Sequence, residues 1–432
     1  MERTTRTDPM NNTMEILQGV RLLNPFSAFD GVVDVAIEED SVKWIREASG
    51  EPSGLWLFPG LIDMHVHLRT PGYEEAETLE TGLRAAVAGG VTRVGMMPNT
   101  SPVLDTAELV LAVRTKGNSL GLAEIEPIPC VTVGRAGETC TDLEDFADSG
   151  ISCFSDDGSP VESNKALQEA LRRVSLFNGV VIEHPEVTSM AAGGAVNQGR
   201  ASTETGVKGI AESAEYLDVK RCVDILRDSE SEARLHLTHL SSPESVQLAY
   251  DAACEGLNVT CDVTPHHLSL NEEAVITLGA TAKMNPPLRS EKSRKALVNM
   301  VSRGMVTAIA SDHAPHSKAA KEMPLATAAF GITGLETLLS LTLDVLGREG
   351  GMSPLDIIRL LTTAPAAILN IPSPEIASGK KLNMVLFDPE EKWVYSSSYS
   401  RSSNSPFFGE VLTGRVLRVW FPEELYREGE FV

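Results

Sequence analysis

The stretch FPGLIDMHVHLR, residues 58–69, leads an apolar run into two histidines spaced two residues apart. Side chains on a β-strand alternate between its faces, so His65, His67 and Arg69 are predicted to project to one side. Two imidazoles at one strand end can hold a single metal ion, and a guanidinium beside them favours an anionic ligand. The alternative is a plain strand with two buried, hydrogen-bonded histidines, because an isolated short motif is only a hypothesis.

The length and charge of the chain limit its class. At 432 residues, 42% of them hydrophobic, the sequence fits a soluble protein with one large domain and a smaller one. The net charge of −23 argues against nucleic acid and membrane as partners, but a small anionic substrate remains compatible with it. The six cysteines show no CxxC spacing, so we expect reduced thiols and a cytoplasmic location.

Apolar strands alternate with helical patterns through the middle of the chain. The predicted strands are 61–68, 94–97, 125–133, 152–154, 180–182, 235–240, 259–263 and 307–310. Eight strands with intervening helices predict an α/β fold, a TIM-like (β/α)8 barrel over residues 59–374. No glycine-rich phosphate loop follows the first strand, which argues against a dinucleotide-binding fold.

Short strand patterns also occur at both ends of the chain. Residues 14–58 and 375–432 are predicted to pair into one small β-sandwich domain beside the barrel. Residues 1–13 are polar and are predicted to form a disordered extension. The serine-rich segment 396–405 is predicted to be a mobile connection between two strands.

Polar side chains recur at the predicted C-terminal ends of the barrel strands, where such barrels carry their chemistry. They are Asp156 and Asp157 after strand four, His184 after strand five, His239 after strand six and Asp312 after strand eight. Each has a structural alternative, because a lone histidine after a strand is most often structural and Asp-Asp-Gly is usually a turn. Their recurrence together with His65 and His67 predicts a metal site.

Such a set of side chains suits metal-assisted hydrolysis or its reverse. A divalent ion such as Zn²⁺ lowers the pKa of bound water towards neutrality, and two ions about 3.5–4 Å apart can polarise a carbonyl. Two histidine half-sites need a bridging anion, for which Asp156 and Asp157 are both candidates. Asp312 suits proton transfer. We therefore expect one or two zinc ions in the chain, and favour two.

Further polar groups follow other strands. They are Asn99 after strand two, Asn285 after strand seven, and His316, Phe330 and Gly331 after strand eight. Asparagine offers both donors and acceptors, which suits an amide or ureide substrate. The loop 317–329 is predicted to act as a lid. His236 is predicted to be structural, and His266 and His267 stay unassigned.

These motifs resemble the amidohydrolase superfamily and, within it, the class I bacterial-type dihydroorotases. The matching stretches are FPGLIDMHVHLRTPG, MMPNT, CFSDDGSPV, EH at 183–184, LTHLSS, KMNPPLR, ASDHAPH, FGITGLET and the C-terminal NSPFFG. The resemblance covers nearly the whole chain from residue 14 on. It implies a TIM-like barrel with a small β-sandwich from both termini, a homo-oligomer and, as in some relatives, a complex with aspartate transcarbamoylase.

The resemblance also implies an activity, the zinc-dependent, reversible cyclisation of N-carbamoyl-L-aspartate to L-dihydroorotate in pyrimidine biosynthesis. The implied metal ligands are His65 and His67 for one zinc, His184 and His239 for the other, Asp157 as the bridge, and Asp312. Asp312 is also the implied general acid and base. The implied substrate contacts are Arg69, Asn99, Asn285 and His316, with His67, Leu68, Phe330 and Gly331 lining the substrate.

The sequence departs from the pattern of the superfamily or family at two places. Many superfamily members bridge their metals with a carboxylated lysine after strand four, but residues 153–158 read CFSDDG, which favours the Asp-bridged dihydroorotases. After His184 the chain reads PEV where the family usually has CED, which changes the surroundings of that histidine.

One alternative function is that of another cyclic amidohydrolase, a hydantoinase or allantoinase, against which the missing lysine argues. The other is a non-catalytic partner of aspartate transcarbamoylase, against which the filled ligand positions argue.

Overall fold

The strands of the molecule form a barrel wall and a separate sheet. The computed structural model describes residues 14–229 and 232–432, so the predicted extension 1–13 lies outside the described residues. The first four strands are β1 (Glu15–Asn24), β2 (Phe29–Glu38), β3 (Ser41–Glu47) and β4 (Trp56–Pro59). The next five are β5 (Leu61–Val66), β6 (Val91–Met96), β7 (Glu124–Pro127), β8 (Cys153–Ser155) and β9 (Val180–Glu183). A short ladder joins β10 (Val196–Asn197) and β11 (Gly209–Ile210). Then follow β12 (Arg234–Leu237), β13 (Val259–Val263), β14 (Ala308–Ile309), β15 (Met384–Val394), β16 (Val411–Trp420), β17 (Glu424–Arg427) and β18 (Glu430–Phe431).

Helices follow the barrel strands along the chain. The first eight are α1 (Leu79–Ala88), α2 (Ala107–Asn118), α3 (Leu143–Asp148), α4 (Asn164–Ser175), α5 (Thr188–Ala191), α6 (Arg200–Thr205), α7 (Glu212–Asp228) and α8 (Pro243–Cys254). The remaining α-helices are α9 (Pro265–Ser269), α10 (Glu273–Leu278), α11 (Glu291–Ser302), α12 (Lys318–Lys321), α13 (Leu338–Thr342), α14 (Pro354–Leu360) and α15 (Thr363–Ile368). Within the described ranges, none of the helices combines the length and the apolar character that crossing a bilayer requires.

Eight parallel strands form the barrel wall in two runs, β5-β6-β7 and β8-β9-β12-β13-β14. Hydrogen bonds close both joints between the runs. At one joint the Ser155 amide donates to the Pro129 carbonyl at 2.9 Å, and at the other the His67 amide donates to the His313 carbonyl at 2.9 Å. This arrangement confirms the predicted TIM-like (β/α)8 barrel.

The first barrel strand is shorter than predicted. It ends at Val66 rather than at residue 68, and Arg69 adopts a left-handed backbone with a φ of 57°. The alternation of a strand therefore brings His65 and His67 to one side but does not govern Arg69. The predicted third strand also ends early, at Pro127, because a second proline at 129 lacks the N–H that a ladder needs.

Both termini contribute to one eight-stranded sheet, as predicted. Strand β4 lies inside it, parallel to β1 and antiparallel to β15, and leads within two residues into the first barrel strand. Apolar side chains from both ends of the chain, such as Leu22, Val35 and Leu386, share one core. The domain boundaries at 14–58 and 375–432 stay a prediction.

Helix α4 illustrates how sequence pattern becomes packing. Ser163 caps its first turn by accepting a hydrogen bond from the Ala166 amide at 3.3 Å. Leu167, Leu171 and Val174 recur at helical spacing and are all fully buried against the wall. Burying each of these side chains contributes about 1.5–3 kcal/mol relative to leaving it exposed.

The serine-rich segment 396–405 is packed against the barrel, and this differs from the mobile connection that we predicted. Ser400, Ser402 and Asn404 alternate inward and are buried. The Ser400 hydroxyl and the Arg401 amide both donate to the buried carboxylate of Glu77. Repeated bonds from alternate residues to buried acceptors therefore fix this segment over the barrel mouth.

Candidate metal centre and substrate site

Asp157 lies between two pairs of histidines at the C-terminal ends of the barrel strands. Its Oδ2 is 3.3 Å from Nε2 of His65 and 3.4 Å from Nε2 of His67. Its Oδ1 is 3.4 Å from Nε2 of His239 and 3.5 Å from Nδ1 of His184. One buried carboxylate thus faces all four of the predicted histidine ligands, which is the position that a bridging anion requires.

Asp156 faces away from the histidines. Its Oδ1 accepts a hydrogen bond from the Thr132 amide at 3.0 Å, and its Oδ2 accepts one from the Thr132 hydroxyl. Its backbone carbonyl accepts a further bond from Arg135 at 3.2 Å. Of the two candidate bridges, Asp156 therefore fixes the loop after the third strand, and Asp157 is the one beside the histidines.

Asp312 borders the first pair of histidines. Its Oδ1 lies 3.1 Å from Nε2 of His67 and 3.5 Å from Nε2 of His65. Burial raises the pKa of this carboxyl, but the nearby imidazoles of His67 and His65 outweigh burial and hold the pKa well below its usual range. Asp312 is thus an ionised carboxylate that can accept a proton at the barrel mouth.

The donor atoms of this cluster fit a metal ion. Ligand atoms of His65, Asp157 and His239 all lie within 4.8 Å of one another, and so do those of His65, His67 and Asp312. The Nε2 of His65 is buried without a hydrogen-bond partner, which is costly unless a ligand satisfies it. Imidazole nitrogen and carboxylate oxygen are among the ligands that bind zinc in proteins.

Asn99 sets the orientation of the His67 ring. Its Oδ1 accepts a hydrogen bond from Nδ1 of His67 at 2.8 Å. The proton of this imidazole is therefore on Nδ1, and the lone pair on Nε2 points towards Asp157 and Asp312. Asn99, which we predicted as a substrate contact, supports a predicted metal ligand through its oxygen.

Three residues of the cluster adopt a left-handed backbone conformation that glycine favours. The φ angles are 57° at Arg69, 40° at His239 and 47° at Asp312. Such conformations cost about 1–3 kcal/mol each and persist where the surrounding structure enforces them. They lie two or three residues beyond the ends of barrel strands one, six and eight, where the chain turns to aim these side chains into the mouth.

Loop residues build the other side of the mouth. The Arg69 Nε donates to the Pro315 carbonyl at 3.1 Å, and its Nη2 lies 3.2 Å from Nε2 of His316. The same His316 nitrogen donates to the Phe330 carbonyl at 2.7 Å. Burial and the charge of Arg69 lower the pKa of His316 to about 3, so this imidazole is neutral at physiological pH. Three predicted substrate residues therefore meet here.

Asn285 lies beside the second pair of histidines. Its Nδ2 donates to Glu186 Oε1 at 3.1 Å and lies 3.4 Å from Nε2 of His184. Its Oδ1 is buried and has no hydrogen-bond partner, so an acceptor is available to a ligand at this point. Leu68 differs from the other predicted lining residues, because its side chain packs in the hydrophobic core and leaves only its backbone for the mouth.

Sequence reasoning missed two residues that hold the loops of the mouth. Lys321 Nζ donates to the carbonyls of Lys283, Ala329 and Gly331 at 2.9–3.1 Å. The predicted lid, residues 317–329, is therefore tethered to the loop after the seventh strand. Nothing in the local sequence around this lysine signals such a role, because its three acceptors are backbone groups.

Asn404 is the second missed residue. Its Nδ2 donates to the carbonyls of Ala314 and Gly331, both at 3.1 Å, and its Oδ1 accepts from the His316 amide at 3.0 Å. Gly331 has a φ of 121°, and a Cβ there would lie 2.6 Å from the Cβ of Ala314, so only glycine fits this approach. The stretch NSPFFG, which carries part of the resemblance, was the available signal for Asn404.

Comparisons with known proteins agree with this geometry. A family model described as dihydro-orotase-like matches residues 54–245. The chain is 41% identical over 391 residues to a dihydroorotase of Wolbachia sp. subsp. Drosophila simulans (strain wRi), covering 90% of this chain and 88% of the relative. It is 38% identical over 429 residues to a dihydroorotase of Chlorobaculum tepidum, covering 94% and 98%.

Solved structures show the same fold. An L-hydantoinase (dihydropyrimidinase) from Arthrobacter aurescens superposes with a TM-score of 0.84 at 21% identity, over 96% of this chain and 97% of that one. A dihydropyrimidinase from Brevibacillus agri superposes with a TM-score of 0.81 at 22% identity, over 97% and 96%. The barrel, the terminal sheet and the histidine–aspartate cluster define an enzyme of the cyclic amidohydrolase class. At 36–41% identity to relatives that it matches over most of their length, the chain belongs to the dihydroorotase family.

Proposed function

We propose that this chain interconverts L-dihydroorotate and N-carbamoyl-L-aspartate, the third step of pyrimidine biosynthesis. The observation that carries the proposal is the single carboxylate of Asp157 between two histidine pairs, with Arg69 and His316 across the same mouth. This arrangement suits hydrolysis of a cyclic amide that carries a carboxylate. The relatives named dihydroorotase support the same reaction.

We infer that two zinc ions bind at the histidine–aspartate cluster. His65, His67 and Asp312 would hold one ion, and His184 and His239 the other, with Asp157 shared between them. The unpartnered Nε2 of His65 and the nitrogen and oxygen donor set support this inference. When bound, divalent zinc supplies a lowered pKa for water and a polarised substrate carbonyl.

Asp312 moves the proton in this proposal. In the hydrolytic direction a water oxygen bonds to the ring carbonyl carbon, and the bond between that carbon and the ring nitrogen breaks. Asp312 accepts the proton of the water and returns it to the leaving nitrogen, and the reverse transfers occur on cyclisation. Its Oδ1, 3.1 Å from His67, already lies among the proposed metal ligands, which supports this role.

The remaining predicted residues orient the ring. Arg69 pairs with the substrate carboxylate, because a guanidinium matches a carboxylate in a bidentate geometry. The neutral His316 and the unpartnered Oδ1 of Asn285 offer hydrogen bonds to the ureide. Phe330 and Gly331 line the ring, and holding it in one orientation over the cluster lowers the entropic part of the barrier.

The test is a substrate comparison with metal counting on the same sample. Purified protein is assayed with L-dihydroorotate, hydantoin and allantoin at slightly alkaline pH, and its zinc content is measured. We expect dihydroorotate to be hydrolysed at least 100-fold faster than the other two rings, with two zinc ions per chain. Preferred hydrolysis of hydantoin, or zinc-bound protein inactive on dihydroorotate, would contradict the proposal.

Location and assembly complete the proposal. We place the enzyme in the cytoplasm, because all six cysteines are free. We expect a homo-oligomer that can also bind aspartate transcarbamoylase. Light scattering of the protein alone and of an equimolar mixture with the transcarbamoylase tests both expectations, and a monomer in both samples would contradict them.

A further inference from the structure

Asp262, at the end of barrel strand seven, contacts His239 of one histidine pair directly and His65 of the other pair through Thr238. We propose that Asp262 and Thr238 are positioning residues. Thr238 fixes the tautomer of His65, so that Nε2 of His65 presents a lone pair to a metal ion, and Asp262 holds Thr238 and the backbone of His239. This inference rests on the proposed function, because it concerns the same metal centre. Neither residue was singled out by the sequence.

The contacts run from one buried carboxylate to two strands. Oδ2 of Asp262 accepts a hydrogen bond from the Thr238 hydroxyl at 3.0 Å. Oδ1 accepts a hydrogen bond from the His239 amide at 2.8 Å. Nδ1 of His65 lies 2.8 Å from the Thr238 oxygen. Asp262 and Thr238 are fully buried, so water does not compete for these bonds.

The number of protons fixes the direction of each bond. A carboxylate only accepts, so the single hydroxyl proton of Thr238 is used in the bond to Asp262. The contact between Thr238 and His65 therefore requires that Nδ1 of His65 carries a proton and donates it. In a neutral imidazole this leaves the lone pair on Nε2, the atom that faces Asp157 and has no hydrogen-bond partner.

His236 completes the same network, and this explains the histidine that we predicted as structural. Its Nε2 donates to Oδ2 of Asp262 at 2.8 Å, and its Nδ1 accepts from the Thr260 hydroxyl at 2.8 Å. Asp262 thus receives three donors, from Thr238, His236 and the His239 amide. A carboxylate saturated in this way cannot rotate without losing several bonds, so it holds Thr238 in the orientation that His65 needs.

A histidine ligand held through its second nitrogen binds metal more tightly than one that is free to turn. Loss of such a supporting partner typically weakens metal affinity about 10–100-fold. Thr238→Val removes the oxygen with little change in shape, whereas Thr238→Ser keeps it. Thr260→Val is the matched control, because it removes a hydroxyl of the same network whose side-chain hydrogen bond, among the described residues, is to His236.

The first experiment measures zinc affinity of the metal-free full chain by competition with a chromophoric chelator. We expect about 10–100-fold weaker binding for Thr238→Val, and affinities within about threefold of the wild type for Thr238→Ser and Thr260→Val. Equal affinities for wild type and Thr238→Val, in proteins with the same melting temperature, would overturn the proposal. These measurements do not depend on any substrate, so failure of the proposed reaction is distinguishable from failure of this inference.

A second experiment reads the tautomer of His65 in the wild-type protein directly. Nitrogen-15 NMR of histidine-labelled, metal-free wild-type protein reports the protonated nitrogen of each ring. We expect a proton on Nδ1 of His65, assigned by the loss of its signal in His65→Gln. A neutral Nε2–H tautomer of His65 would overturn the proposal even if Thr238→Val failed to fold.

Discussion

The two sides of the barrel mouth are built in different ways. On the metal side, His65, Asp157 and His239 project from the ends of strands, whose spacing the parallel ladder fixes. On the substrate side, Arg69 and His316 lie on loops, where side chains from elsewhere hold the backbone. The metal geometry is thus a property of the barrel, whereas the substrate geometry depends on a few separate hydrogen bonds.

This difference has a consequence for function. A ladder is cooperative, so one substitution on the metal side leaves the framework in place and acts on the chemistry itself. A loop held by hydrogen bonds worth about 1 kcal/mol each shifts when one of them is lost. Changes on the metal side should therefore appear in kcat, and changes on the substrate side in KM.

The largest effect is expected on the metal side. Asp312→Asn removes the proton acceptor but keeps the shape of the side chain, so kcat for dihydroorotate hydrolysis should fall on the order of 10³-fold. Most of the zinc should remain bound, because the ligands His65, His67 and Asp157 are unchanged, and the melting temperature should stay close to that of the wild type. Steady-state kinetics and metal analysis on one sample check this, and a loss below tenfold would contradict the role of Asp312.

Arg69→Ala should have the next largest effect, on the substrate side. Losing charge-assisted hydrogen bonds worth about 1.5–3 kcal/mol should raise KM for dihydroorotate about 10–150-fold, with a smaller change in kcat. Dihydrouracil, a ring without the carboxylate, provides the control, because the variant and the wild type should treat it alike. An unchanged KM for dihydroorotate would show that Arg69 does not contact the carboxylate.

Asn404→Ala tests the hydrogen bonds that hold the substrate-side loops, and it leaves the predicted substrate contacts themselves unchanged. It removes three hydrogen bonds to the backbone around His316 and Gly331. We expect KM to rise about tenfold while zinc content is unchanged. Ser403→Ala, at the exposed neighbouring position, is the matched control. If Asn404→Ala released zinc instead, the two sides of the mouth would not be separable.

The smallest expected effect is a pH dependence of stability that arises from the buried Lys321. Burial and the nearby Lys283 lower the pKa of Lys321 to about 7, from an ordinary value of 10.5. Between these values the unfolded chain binds more protons than the folded one, so the contribution of Lys321 to the free energy of unfolding rises with pH across this window.

The melting temperature of the wild type, relative to that of Lys321→Met, should therefore be higher at pH 9 than at pH 7. Thermal denaturation of both proteins at the two pH values measures it. The same difference at both values, or a smaller one at pH 9, would show that burial does not depress the pKa of this lysine.

The same contrast explains what the sequence could predict. His65 and His67 could be predicted because the alternation of a strand brings residues two apart to one side. The recurrence of His and Asp after later strands identified the cluster. Asp157 could not be separated from Asp156, because their difference is a hydrogen bond to Thr132 from another loop.

The two residues that hold the substrate-side loops, Asn404 and Lys321, could not be predicted in this way. Asn404 acts on a backbone 88 residues away, and Lys321 binds carbonyls that every residue possesses. The serine-rich segment has the composition of a flexible connection, yet its alternate residues donate to buried acceptors, Ser400 to Glu77 and Ser402 to the Ala76 carbonyl. Contacts to backbone groups leave no periodic pattern in a sequence, which is why the resemblance carried by NSPFFG was the available signal.

The most direct measurement is a crystal structure of the full chain with zinc and L-dihydroorotate, recorded with anomalous diffraction at the zinc edge. We expect two zinc peaks, one on either side of the Asp157 carboxylate, and the substrate carboxylate against Arg69 with the ring amide over the metals. Zinc that does not contact Asp157, or a substrate carboxylate directed away from Arg69, would contradict the division of the mouth into a strand-built metal side and a loop-built substrate side.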